Sequence, residues 1–243
     1  MHIIFKKLTA LCLMIPSLSY ASLSLDRTRT IFDGKEKSVS LKVYNSSERL
    51  PFLAQSWFEN DKGEKIEGPF VATPPIQRVE PKQQTQIKIE KLNTVELPQD
   101  RESVYYFNFR QIPPKSDKPN VLQLTIQTKI KLFYRPTSLF MDGTEISNKP
   151  WQNKLILKET GQDVIAVNPT PYYITVSAIS QKNGQESFDG FKAFMVAPFS
   201  ELSLNFKANQ MGNQPFITYI DDYGSKNIMP FNCVNLKCEI TSE

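Results

Sequence analysis

The chain has 243 residues, with 29 Lys and Arg against 25 Asp and Glu, one His and three Cys. A formal charge of +4 is too small a surplus for a surface built to hold a phosphate backbone. The lone His2 falls in a leader, described next, so the exported chain can assemble no Ser-His-Asp or Cys-His site and lacks the commonest metal ligand.

Residues 1–21 have the pattern of a secretory leader. Lys6 and Lys7 make a basic start, residues 8–18 an apolar core, and Ser19-Tyr20-Ala21 a small-residue cleavage site. The apolar run is too short to span a bilayer, so no membrane insertion is expected. The exported chain is expected to begin near Ser22, without Cys12, and with its charge reduced to +2 by the loss of Lys6 and Lys7.

The remaining chain, about 220 residues, suits two domains. Short alternating segments recur between turn residues and helical periodicity is nearly absent, which is an all-β pattern. The first set of expected strands covers 23–29, 38–44, 52–58, 84–89, 103–112 and 121–134. Pro113 and Pro114 close the fifth, and Leu122, Leu124, Ile126, Ile130 and Leu132 alternate with polar residues along the sixth. Those two strands are expected to form one long hairpin. A long apolar strand is a hazard at a sheet edge unless it is covered or used, and this one is read as used. A weakly patterned stretch, 136–144, serves as linker. The second set covers 154–158, 163–167, 172–179, 191–196, 202–206, 217–219 and 228 onward. Thr73-Pro74-Pro75 marks a strand-edge stop, with the isomer of the Thr73–Pro74 bond left open. Cys233 and Cys238, four residues apart in an oxidising compartment, are expected to form a disulfide closing a terminal hairpin. A redox-active pair would need C-x-x-C spacing at a helix start.

Six stretches resemble the PapD-like family of periplasmic pilus chaperones. They are Leu25-Asp-Arg-Thr-Arg-Thr-Ile-Phe-Asp-Gly34, Ala72-Thr-Pro-Pro-Ile-Gln-Arg78, Pro98-Gln-Asp-Arg-Glu-Ser103, Gln127-Thr-Lys-Ile-Lys-Leu-Phe-Tyr-Arg-Pro136, Asn168-Pro-Thr-Pro-Tyr-Tyr173 and Tyr219-Ile-Asp-Asp-Tyr-Gly224. They run in the family's order over essentially the whole exported chain. The resemblance implies two immunoglobulin-like β-sandwiches set as an L with a cleft between them. Residues 22–141 would be the subunit-binding domain and 142–243 the second domain, after a 1–21 signal peptide. It also implies the function: binding a pilus subunit that lacks its last strand, lending it an edge strand, and delivering it to the outer-membrane usher. No cofactor, metal or nucleic acid is implied. Pilus subunits, with an adhesin as one candidate, and the usher are the implied partners.

By residue type alone, Arg29 and Lys131 read as solvated charges on strand faces. The resemblance makes them the grip on the subunit's C-terminal carboxylate, which would also fix the register of an edge strand otherwise free to slip by two. Leu122, Leu124 and Ile126 become the lent side chains. Glu102, Arg135 and Asp222 match an ion-pair set that holds the domain angle, priced as surface pairs at about 0–1 kcal/mol each. The short 113–120 turn matches members that serve rod- and tip-forming pili. Strict alternation sets Lys131 on the face opposite Leu122, unless a bulge intervenes. Self-association through the exposed strand is a further expectation. A pilus subunit would need a longer apolar extension ahead of residue 25, and Asp221-Asp222 points to opposite faces of a strand, which argues against a paired-carboxylate enzyme.

Overall fold

The computed structural model describes residues 22–117 and 119–241. The expected leader lies outside them. Strands β1 (Leu23–Leu25), β2 (Arg29–Asp33), β3 (Ser38–Asn45), β4 (Phe52–Glu59), β5 (Lys65–Ile66), β6 (Phe70–Thr73), β7 (Ile76–Val79), β8 (Gln84–Lys91), β9 (Ser103–Ile112) and β10 (Ile126–Arg135) build the first sandwich. One sheet runs β1-β3-β8-β6, the other β2-β10-β9-β4-β5 with β7 also on β4. Alternation in β3 and β8 turns Leu41, Val43, Ile87 and Ile89 fully inward. Phe58, Phe107 and Leu132 meet them from the facing sheet. The Phe32 and Phe70 rings lie 5.0 Å apart and Phe58 and Phe107 5.5 Å apart, in tilted and edge-on contacts.

Three features depart from the sequence expectation, each for a local reason. Residues 23–29 form two strands in two sheets: β1 pairs antiparallel with β3, while β2 pairs parallel with β10. The chain changes sheets at Asp26, which donates its N–H to the Lys42 carbonyl and accepts the Lys42 N–H on Oδ1; such a crossing closes a sandwich corner. The sixth strand begins at Ile126 rather than at residue 121. Its register pairs Ile126 with Gln111, so prolonging it would set Leu124 against Pro113 and Gln123 against Pro114. Neither proline has an N–H to offer, and the ladder stops; Gln123 Nε2 donates to the Pro114 carbonyl at 2.6 Å instead. Finally, β5, β6 and β7 were not anticipated, being too short to show a period. The Thr73–Pro74 bond between β6 and β7 is cis, as is Gly68–Pro69.

The second sandwich comprises β11 (Ile156–Thr160), β12 (Asp163–Asn168), β13 (Ile174–Ser180), β14 (Phe194–Val196), β15 (Ser200–Lys207), β16 (Phe216–Ile220), β17 (Lys226–Val234) and β18 (Lys237–Ile240). They make one ribbon, β14-β13-β16-β17-β18-β11-β12-β15, folded over a core of Leu155, Leu157, Val164, Ile174, Val176 and Ile217. The fold-over lies in β17, which pairs with β16 as far as Pro230 and with β18 from Phe231 onward. Past Pro230 the Phe231 and Cys233 N–H groups still donate to the Pro215 and Asn213 carbonyls, at 2.8 and 2.9 Å, although β16 itself begins only at Phe216. Cys233 and Cys238 form a disulfide across β17 and β18. The turn between them, Asn235 and Leu236, has φ of 51° and 63°, the left-handed pair of a two-residue hairpin. The linker is more ordered than expected. It holds a 3-10 turn (Thr137–Leu139) and α1 (Gly143–Asn148), whose cap Asp142 accepts from the Thr144 and Glu145 N–H groups while Glu145 reaches back to the Asp142 N–H.

Candidate functional site: an open strand edge ending in two cations

β10 has a different neighbour on each side. β9 covers one edge from Ile126 to Tyr134 with no register shift. β2 covers the other edge only from Lys131 to Arg135, beginning with the Arg29–Lys131 pair. From Ile126 to Ile130 the second edge carries no strand among the described residues, and the chain ahead of it, 121–125, is unpaired. Side-chain exposure follows: Leu122 is 83% exposed, Leu124 68% and Ile126 40%, whereas Ile130 and Leu132 are buried.

The unbroken ladder settles how the two ends of β10 relate. Ile126, Ile130, Leu132 and Tyr134 share the core face. Lys129, Lys131, Phe133 and Arg135 share the other, and no bulge exchanges them. The strand therefore works through both faces: Ile126 lies on the core face, and the cations of β10 point away from it. Lys129 pairs with Glu59, whose Oε1 also accepts from Trp57 Nε1 at 2.9 Å, and the Arg110 guanidinium covers the Trp57 ring at 4.8 Å. None of these three companions was anticipated.

Arg29 and Lys131 are adjacent in the parallel ladder, half-buried, and without a carboxylate partner among the described residues. Arg29 Nε is buried with no hydrogen-bond acceptor. Burial pulls the Arg29 guanidinium below its ordinary pKa, with Asp221 and Asp222 opposing, and burial followed by the charge of Arg29 pulls the Lys131 ammonium down. Two cations held side by side in a half-dry place raise each other's energy, and an incoming anion removes that cost. Such a pair can accept a small anion with planar acceptors.

Behind this pair, Glu102, Arg135 and Asp222 meet. Arg135 Nε donates to Glu102 Oε1 at 2.8 Å, and its two terminal nitrogens donate to Asp222 at 2.8 and 3.1 Å. The guanidinium also lies over Trp151 at 4.9 Å and Tyr172 at 5.1 Å, two rings stacked on each other at 4.6 Å. Glu102 Oε2 accepts the Tyr173 N–H at 2.8 Å. By residue type these three charges look like a surface set. Arg135 and Glu102 are instead 1% and 3% exposed, so the set belongs with buried ion pairs, where breaking one partner is costly. Burial pushes the Glu102 carboxyl up to about 7, with Arg135 and the Tyr173 N–H pulling it back. Burial pulls the Arg135 guanidinium down, but its two carboxylates outweigh that and hold it above its usual value. The domains also touch where Phe133 and Tyr173 rings lie 5.7 Å apart. At the Gly224 turn, where φ is +88°, a Cβ would lie 2.7 Å from Thr28 Oγ1.

Among the described residues no helix is long and apolar enough to cross a membrane. Glu159, Cys233 and Cys238 bring potential metal ligands together, but the two sulfurs are bonded to each other and offer no thiolate.

Comparison with known proteins agrees with this architecture. Residues 22–140 match the model described as pili and flagellar-assembly chaperone, PapD N-terminal domain, and 150–230 match the pili assembly chaperone PapD C-terminal domain. The chain is 43% identical to the chaperone protein PapD of Escherichia coli over 238 residues, 97% of each chain. It is 42% identical to the chaperone protein PmfD of Proteus mirabilis over 95% of this chain and 91% of that protein. Among solved structures, the periplasmic chaperone SfaE superposes with a TM-score of 0.66 at 31% identity, covering 86% of this chain and 98% of that one. The SafA pilin–SafB chaperone complex of Salmonella enterica superposes with a TM-score of 0.71 at 27% identity, covering 89% of this chain and 97% of its match.

Proposed function

The chain belongs to the PapD family of pilus-assembly chaperones, and we propose that it acts by lending the open edge of β10 to an incomplete pilus subunit whose C-terminal carboxylate it grips with Arg29 and Lys131. The family is one of chaperones rather than enzymes, and its members work in the periplasm; residues 1–21 supply the export leader in this reading.

One observation carries the proposal. The open edge of β10 ends where β2 begins, at the Arg29–Lys131 pair. A strand added to that edge is collinear with β2. If it runs parallel to β10, its C-terminus arrives head-on at two unpaired cations. If it ran antiparallel, an ammonium would arrive there instead and be repelled. Charge therefore selects a parallel strand that ends at this point. Chaperone–pilin pairs are an established case of such strand addition, and the SafA–SafB structure is by its name a chaperone holding a pilin.

Energetically, the arrangement divides the work. Parallel ladders are slightly weaker per residue than antiparallel ones. Leu122, Leu124 and Ile126 add apolar burial of about 1.5–3 kcal/mol each when fully covered, and the carboxylate fixes the register that backbone pairing leaves free. The buried Glu102–Arg135–Asp222 set holds the second domain against the first, so the anchor lies at the base of a cleft of fixed shape. Delivery to the outer-membrane usher follows as the next step. In the free protein, the same exposed edge is the surface through which two copies would associate. A tip adhesin ending in the same carboxylate would be held in the same way.

Hydrogen–deuterium exchange tests strand addition. Amides of 122–125, and those of 126–130 that point away from β9, should exchange fast in the free protein and slow by at least tenfold with a bound subunit, since a new ladder protects them. Unchanged exchange across 122–130 in a saturated complex would rule out strand addition.

A further inference from the structure

Two buried polar atoms beside the anchor lack partners, and they belong to different domains. Arg29 Nε, a donor from β2, has no acceptor, and Gln152 Oε1, an acceptor from the second domain, has no donor. Gln152 is 1% exposed and lies in the 3-10 turn Trp151–Lys154, where its carbonyl accepts the Leu155 N–H at 3.0 Å. Both residues line a small void of about 10 Å³ between the two domains, walled also by Phe133, Ile220 and Asp222. That is the room one water needs, and buried waters occur where two to four polar groups converge on such a space. Arg29 Nε offers a donor there and Gln152 Oε1 and Asp222 offer acceptors, a set that a single water satisfies; Glu102, Tyr173 and Thr175 also line the void, Glu102 already accepting from Arg135 and the Tyr173 N–H.

We propose that one buried water accepts the Arg29 Nε–H, donates to Gln152 Oε1 and turns its second proton toward Asp222, which makes Gln152 a positioning residue of the carboxylate anchor. The inference rests on reading Arg29 and Lys131 as that anchor. Its consequence is geometric. With Nε engaged from behind, the guanidinium cannot rotate about its long side chain, and its two terminal nitrogens remain for the incoming carboxylate in the fork that such groups recognise. Because Gln152 is part of the second domain, the anchor is correctly aimed only while the Arg135 set holds the domains together. The two ion sites of the cleft are thus one device: the buried set fixes Gln152, and Gln152 fixes Arg29.

The test uses the full-length exported protein and a synthetic peptide of the C-terminal strand of a co-encoded subunit, made as free acid and as amide. Gln152→Met keeps the size and removes the acceptor. The wild type should prefer the acid over the amide. Gln152→Met should lower acid affinity about fivefold and leave amide affinity unchanged, the loss expected from an anchor that is present but misaimed. In an Arg29→Ala background the same substitution should change neither. A loss shared equally by acid and amide, or one that persists without Arg29, would mean that Gln152 only supports the fold and would overturn the proposal. A wild type indifferent to acid and amide would instead overturn the anchor reading itself. Should Gln152→Met fold poorly, the Arg29 Nε–H resonance of the free wild-type protein decides: slow exchange with solvent supports the bridged geometry, and fast exchange overturns it.

Discussion

Replacing Arg135 with methionine should separate the cost of the buried ion set from everything around it. Met keeps an unbranched apolar stem against Trp151 and Tyr172 and removes only the guanidinium. Glu102, 3% exposed, would then be a buried carboxylate holding only the Tyr173 N–H. Breaking one partner of a buried pair costs about 3–5 kcal/mol, which for a protein of this size lowers the melting midpoint by roughly 10 °C. The cost should depend on pH with a definite sign. The folded Glu102 carboxyl already lies at about 7, above its ordinary 4.5, because burial disfavours its charge. A raised carboxyl pKa makes protonation favour the folded state, so stability falls as pH rises from the unfolded value through the folded one. Without Arg135 the folded value rises further, and the fall continues above pH 7 at up to about 1.4 kcal/mol per pH unit. Thermal melts of wild type and variant at pH 5, 6, 7 and 8 would read this directly. The gap should be smallest at pH 5 and widen toward pH 8. A gap that is constant with pH, or that widens toward acid, would refute the reasoning that an orphaned Glu102 carboxylate carries the loss.

The same account gives three further expectations. Leu124→Asp and Ile126→Asp should leave the melting midpoint within about 2 °C of wild type, because both side chains face solvent. Each should nonetheless weaken subunit binding by at least tenfold, measured by titration against a refolding subunit, since a charge enters a groove made for apolar side chains. Lys131→Gln should not destabilise the free protein and should weaken capture of a free-acid subunit, because it relieves a repulsion that only the ligand otherwise relieves; a lowered midpoint would contradict that view of the pair. Cys233→Ser with Cys238→Ser should cost about 2 kcal/mol in denaturant melts, the value for so small a loop, and leave β10 binding unaltered.

The fold was readable where the chain obeys a period. Alternation from Leu122 to Tyr134 marks β10, and the two cysteines on either side of a four-residue gap mark the last hairpin. Where the structure departs, the cause is a partner the sequence does not name. Pro113 and Pro114 end the ladder of β10 only because the register sets them opposite Leu124 and Gln123, and no register is visible in one strand. The crossing at Asp26 depends on Lys42 of β3, sixteen residues away. β6 and β7 are four residues each, too few for a period to emerge.

The site shows the same division. Arg29, Lys131, Glu102, Arg135 and Asp222 were reached through motifs, and the structure brings Glu102, Arg135 and Asp222 into hydrogen-bond contact and Arg29 beside Lys131. Trp151 and Gln152 give no signal, and Tyr172 shows only as part of the Asn168–Tyr173 stretch, with no role attached. Each reads as an ordinary core or turn residue until the second domain is set against Arg135. That one of only two tryptophans in the chain follows a proline at a domain entry was the nearest hint, and its purpose appears only with the guanidinium under its ring.

The most direct test of the central claim is co-purification from the periplasm of the tagged chain expressed with its neighbouring subunit genes, as wild type, as Lys131→Ala and as Arg29→Ala. The account predicts subunits bound to wild type and lost from both variants, with all three chaperones recovered in equal amounts and equally folded. Subunits retained by both variants would contradict the carboxylate anchor, and a wild type that carries none would contradict strand lending altogether.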